Sequence, residues 1–170
     1  MILKSTKGYT IVELLVAVGI IGLLSGLAYT GLSGANRSET TRNAALEVKA
    51  AIRNAQEQAL TSKLNSAGVP ADHYGIQISG NSYQIIRIEK CANLSQATII
   101  STHNMPTGVT VTSAPANLKA ITFKKNKATS QFFDTNGNSL APNADGSVTV
   151  TISGVGIYPI KVYQETGRVE

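Results

Sequence analysis

The sequence predicts an α+β fold: a long amino-terminal helix, apolar in its first half and amphipathic in its second, packed on an antiparallel β-sheet head. Three observations predict it. Residues 14–36 carry no charge. Residues 37–65 place apolar side chains at alternating spacings of three and four. Beyond Pro70 the apolar positions switch to period two.

At 170 residues the chain has room for one compact domain and an appendage. Its 15% of charged residues falls below the roughly 25% of an average globular protein, which directs attention to a membrane segment first. One cysteine, Cys91, rules out an intrachain disulfide scaffold. With only His73 and His103 beside it, no zinc finger or other site needing several soft ligands can form, and no cofactor is implied. The net charge of +5 includes Lys4 and Lys7 and is weak evidence for nucleic acid.

The charge-free run from Leu14 to Asn36 is 23 residues. As a helix it spans about 35 Å, enough for a hydrocarbon core of roughly 30 Å. The lysines before it favour a cytoplasmic amino terminus and send everything after Arg37 to the outer face. Three readings of the segment compete. A secretory signal peptide finds a passable cleavage site at Ser33-Gly34-Ala35, but the apolar run is too long for one. A plain anchor has the right length and gives no reason for Glu13, whose burial at membrane depth costs about 2.5–3.5 kcal/mol.

The third reading rests on the string Lys7-Gly8-Tyr9-Thr10-Ile11-Val12-Glu13. It resembles the class III signal of type IV prepilins and pseudopilins: a short basic leader, Gly, an aromatic or apolar residue, then Glu and an apolar helix. The resemblance implies that a membrane prepilin peptidase cuts after Gly8 on the cytoplasmic side and N-methylates Tyr9. The family most often has Phe where Tyr9 stands. The cut removes both leader lysines and creates an α-amine about one helical turn before Glu13. In the family's logic Glu13 of an incoming subunit attracts the terminal amine of its neighbour, a Coulomb attraction strengthened by low dielectric. The alternative is a carboxyl resting in the headgroup region.

Gly22-Leu23-Leu24-Ser25-Gly26 is a GxxxG, the spacing that lets two apolar helices approach closely, although glycine is frequent in membrane helices generally. Gly31 and Gly34 stand where major pilins commonly carry proline, which leaves room for a kink or local unwinding.

In the stem, Ala45, Val48, Ile52, Ala55 and Ala59 form one face, with Arg42, Glu47, Lys49, Arg53 and Glu57 elsewhere; nothing forces a break before Gly68-Val69-Pro70. Strands are expected at 75–79, 83–89, 97–101, 109–113, 120–125, 131–134, 147–153 and 158–163. Gly80-Asn81, Asn136-Gly137, Asp145-Gly146 and Thr166-Gly167 supply turn chemistry between them. The expected organisation is a cleaved leader at 1–8, a membrane and filament-core helix at 9–36, an amphipathic stem at 37–66 and an extracytoplasmic head at 67–170.

The resemblance extends into the head. Tyr74-Gly75-Ile76-Gln77-Ile78, Met105-Pro106-Thr107-Gly108-Val109, Ile121-Thr122-Phe123, the run from Asp145-Gly146 to Ile152, and Ile160-Lys161-Val162 with Thr166-Gly167-Arg168-Val169 resemble the GspH/FimT-type pseudopilin. Major pilins often close a carboxy-terminal loop with a disulfide, so a lone Cys91 favours a minor subunit.

No residues cluster into an enzyme site. His73 and His103 read as solvated loop residues, and Cys91 follows Lys90 without an evident base. Asp134-Thr135-Asn136-Gly137-Asn138 lacks calcium-loop spacing and reads as a hairpin turn. DNA is the main side hypothesis. Lys119, Lys124, Lys125 and Lys127 form a local basic cluster, while the GRxR of some FimT-like proteins is matched by Gly167-Arg168-Val169-Glu170, with an acid at its last position.

The chain therefore reads as a structural subunit of a type II secretion pseudopilus or type IV pilus. Its implied partners are the prepilin peptidase, other pilin subunits, an inner-membrane assembly platform, and lipid before assembly. A DNA-uptake or adhesin-type tip subunit, or a simple anchored β-domain, is the alternative.

Overall fold

The computed structural model describes residues 9–62, 64, 68–89 and 94–170, apart from the side chains of 28–33 and 35. Lys4, Lys7, Gly8 and Cys91 lie outside the described residues. The fold is α+β and pilin-like, with one long helix, α1 (Ile11–Leu60), followed by eight strands. Contacts divide the chain into two units, one up to Arg37 and one from Ser38 to Glu170.

From Ile11 onward the first unit is helix. It runs unbroken through Gly31 and Gly34, so the local unwinding that these glycines allowed does not form. Among the described residues no helix is long and apolar enough to cross a membrane; its described apolar side chains run from Ile11 to Leu27.

The second unit holds the remainder of α1 and two antiparallel sheets. The strands are β1 (His73–Ser79), β2 (Ser82–Ile88), β3 (Ala97–Asn104), β4 (Thr110–Ala114), β5 (Leu118–Lys124), β6 (Ser130–Asp134), β7 (Ser147–Ser153) and β8 (Ile157–Tyr163). Five form one sheet in the order β3-β2-β1-β5-β6 and three form the other in the order β4-β7-β8. The five residues expected on the stem's apolar face are buried, with Ile52 fully so. They share one core with Tyr74 and Ile76 of β1, Ile121 and Phe123 of β5, Phe132 of β6, Val148, Val150 and Ile152 of β7, and Val162 of β8. The alanines let the helix backbone approach both sheets, and each large side chain buried there contributes about 1.5–3 kcal/mol. A smaller core, Ile86, Ala120 and Phe133 with Leu94 and Ala97, lies apart from it.

The turn chemistry acts as its sequence suggests. Gly80 at φ 58° begins the two-residue loop that joins Ser79 to Ser82. Asp134 Oδ1 accepts the N–H groups of Asn136 at 2.9 Å and Asn138 at 2.8 Å, closing a turn with Gly137 at φ 81°. Gly167 at φ 63° folds the last residues back along β8, where Val169 bridges Val162. A Cβ at Gly167 would meet the Ala128 carbonyl and the Gln56 amide, so this glycine is required twice.

The helix stops earlier than its sequence allows. Helicity was open as far as residue 65, yet α1 ends at Leu60. The cause is tertiary. Ser62 turns to φ 50°, and Asn126, from the β5–β6 turn, donates its N–H to the Ala59 carbonyl at 3.1 Å while its side chain bonds that of Ser62.

Candidate functional site

Among the described residues the amino-terminal segment begins with Tyr9 and Thr10, both exposed, ahead of the first helical residue, Ile11. Thr10 is the N-cap. Its carbonyl accepts the Leu14 N–H at 3.2 Å, and its hydroxyl accepts the Glu13 N–H at 3.3 Å. Thr10-Ile11-Val12-Glu13 is thus a capping-box sequence, a signal present in the chain but absent from the reading above. Glu13 sits exposed in the first turn, where the positive end of the helix dipole favours a carboxylate.

Behind Glu13 the helix is apolar on every side. Leu14 is 62% exposed, Leu15 66%, Val16 56% and Leu24 61%, positions that together ring the helix. A helix hydrophobic all round belongs in lipid or among other helices rather than against water. A Cβ placed at Gly22 or Gly26 meets nothing within 4 Å, so neither glycine is needed for packing inside the chain. That leaves their outer surface open to another helix.

The head corrects both histidine expectations. His73 is buried at the start of β1, which extends two residues beyond the expected strand by pairing with Ile88 and Lys124. Neither ring nitrogen makes a well-formed hydrogen bond, although the Gln131 side chain lies near enough to interact with the ring. Burial holds its pKa below the usual 6.5, with Asp72 opposing the shift, Lys124 reinforcing it and the Gln131 side chain opposing it more weakly. Neutral in the fold and protonatable when unfolded, His73 removes stability as pH falls from about 6.5 toward its lowered value. Denaturation midpoints of the chain should drop over that interval, and a His73→Phe variant should flatten the profile; parallel profiles would contradict this.

His103 is not in a loop either; it lies in β3, which continues three residues past its expected end. Its ring stacks on Tyr83 at 4.9 Å and 7°. Tyr83 donates its hydroxyl to Glu47 Oε1 at 2.9 Å, and His103 Nδ1 lies 3.6 Å from the same oxygen. Burial, followed by Glu47, pushes the Tyr83 phenol well above its ordinary pKa. Ser101 Oγ lies 3.1 Å from His103 Nε2. Ser, His and Glu thus stand in the order of a nucleophile relay, but the His–Glu separation exceeds hydrogen-bond range and Tyr83 occupies the Glu47 oxygen. The group pins β2 and β3 to the stem.

The basic cluster comes apart. Lys119 lies near the start of β5, whereas Lys124, Lys125 and Lys127 sit at its other end, about 15–20 Å along the strand. Those three surround the turn that caps α1; Lys125 donates its N–H to the Asp72 carbonyl at 2.7 Å. The last turn of α1 carries no basic residue of its own. Arg168 is also engaged: its guanidinium lies 4.5 Å from the centre of the Tyr163 ring and 3.1 Å from Glu170. Among the described residues no group of three or more His, Cys, Asp or Glu could hold a metal.

Comparison with known proteins adds one finding. No curated protein and no solved structure matches the chain. Residues 3–29 match the family described as the prokaryotic N-terminal methylation motif, the prepilin-like signal, and this supports a type IV pilin-like protein.

Proposed function

We propose that the chain is a minor pilin or pseudopilin of GspH/FimT type, a structural subunit of a type II secretion pseudopilus or type IV pilus. The observation that carries this reading is the methylation motif joined to a helix that is apolar on every side and has Glu13 in its first turn. Residues 1–8 are the leader, cut after Gly8 by a prepilin peptidase that then methylates Tyr9. Residues 9–36 hold the subunit in the bacterial inner membrane and later form the filament core, 37–66 are the stem and 67–170 the extracytoplasmic head.

The geometry suggests why the acid matters. The amine created at Tyr9 lies at the helix end where the dipole is already positive, so cleavage concentrates like charge there. Glu13 offsets it within a subunit, and between subunits it offers the amine of a neighbour a partner in low dielectric. Gly22 and Gly26 give the neighbouring helix a close approach. An assembly platform in the inner membrane then exchanges lipid contacts for helix contacts, and the chain itself does no catalysis.

The test is a Gly8→Arg variant produced alongside a prepilin peptidase. The variant should stay full-length and membrane-bound while the wild type loses eight residues; equal lengths for both would contradict the reading.

A further inference from the structure

We propose that the outer edge of β3 is an interaction surface to which β3 of a second copy of this chain adds as an antiparallel strand. The inference rests on the head alone and does not depend on how the amino terminus is processed.

β3 is an edge strand of the five-stranded sheet. The Met105 N–H donates to the Asn81 carbonyl at 3.0 Å, which fixes the alternation of the β2–β3 ladder. Tyr83 pairs with His103 and Ile85 with Ser101, so those residues turn their backbone groups toward β2, while Thr102 and Asn104 turn theirs outward. Outward N–H and C=O groups in a row are a template for another strand.

Edges are normally blunted by charge, proline, shortness or cover. From Ala97 to Asn104 there is no Asp, Glu, Lys, Arg or Pro, and Thr98, Ile99, Ile100 and Thr102 are β-branched. Ile99 and Ile100 are 52% and 49% exposed. One blunting device is present, the register shift opposite Ile85/Ile86, which twists the strand at Ile99–Ile100 and leaves Ser101–Asn104 regular. The β8 and β6 edges are better guarded. β8 carries Pro159 and is covered at its end by Glu170 and Arg168, whose backbone atoms bond Lys161 and Tyr163. β6 is covered where Leu140 donates its N–H to the Phe132 carbonyl.

The absence of charge selects the occupant. Two β3 strands meet without like-charge repulsion and set Thr102 against its equivalent and Ile100 against Asn104 of the second copy, whereas a charged strand from elsewhere finds no countercharge on β3. His103, its one titratable side chain, is already engaged with Tyr83 and Glu47. Antiparallel addition about a two-fold axis at Thr102 is isologous and closes as a dimer. It sets the two Thr102 Cα atoms about 5.5 Å apart, within disulfide range.

The experiment uses the full chain in detergent micelles, with Cys91→Ser throughout. Under mild oxidation Thr102→Cys should give disulfide-linked dimers about tenfold faster than Lys161→Cys on the covered edge, and adding Ile100→Lys should remove most of that advantage with the circular dichroism unchanged. Equal rates at the two positions, or indifference to Ile100→Lys, would overturn the proposal. Cross-linking of the Thr102→Cys chain in cells to a different protein instead of to itself would also overturn it. A chain that keeps Met1 yet still cross-links through Thr102→Cys would sink the pilin reading and leave this one standing.

Discussion

Replacing Glu13 with leucine should leave the protein in the membrane and keep it out of filaments. The substitution leaves the Thr10 hydroxyl in place, and the backbone N–H of residue 13 can still donate to it, so the helix should start where it does now. Leucine also suits the apolar surroundings. What goes is the only negative charge between the amino terminus and Arg37. A charge pair at about 4 Å contributes about 1–4 kcal/mol between water-like and partly buried dielectric, so incorporation should fall by roughly one to three powers of ten. Filament yield against membrane-bound pool, by immunoblot of sheared and membrane fractions, reads this directly. Normal incorporation would show that Glu13 serves only the helix start.

The second large effect is in the head. Ile52 is fully buried, on the face of α1 that meets both sheets in one core. Ile52→Ala removes three carbons from a site ringed by rigid strands and should cost about 2–5 kcal/mol. Leu46, six residues earlier and 53% exposed, is the control: Leu46→Ala should stay within about 0.5 kcal/mol. Denaturant titration of the detergent-solubilised chain, followed by β-sheet circular dichroism, compares them. Equal costs would mean that the stem does not rest on the sheets as described.

All eight strands lie where alternation put them, with ends shifted by up to three residues, because period-two burial and Gly-Asn or Asp-Gly turns are local properties. The stem's buried face was legible for the same reason. What escaped was set by distant parts of the chain. Nothing near Leu60 announces a stop, since its cap comes from Asn126. His73 lies next to polar Asp72, yet strand pairing carries it into the interior. Lys119 and Lys124 are close in sequence and far apart in space because a strand separates them by its full extension. At the amino terminus the motif showed the prepilin-like signal at once, and Thr10-Ile11-Val12-Glu13 carried a capping signal that the hydrogen bond from the Glu13 N–H to the Thr10 hydroxyl makes plain.

The central claim is that residues 1–8 are removed and the helix behind them is kept. The most direct test is the mass and amino-terminal sequence of the mature protein from cells that carry their own prepilin peptidase. An N-methylated Tyr9 terminus is the predicted result, and an intact Met1, or a terminus near Ala35, would contradict it.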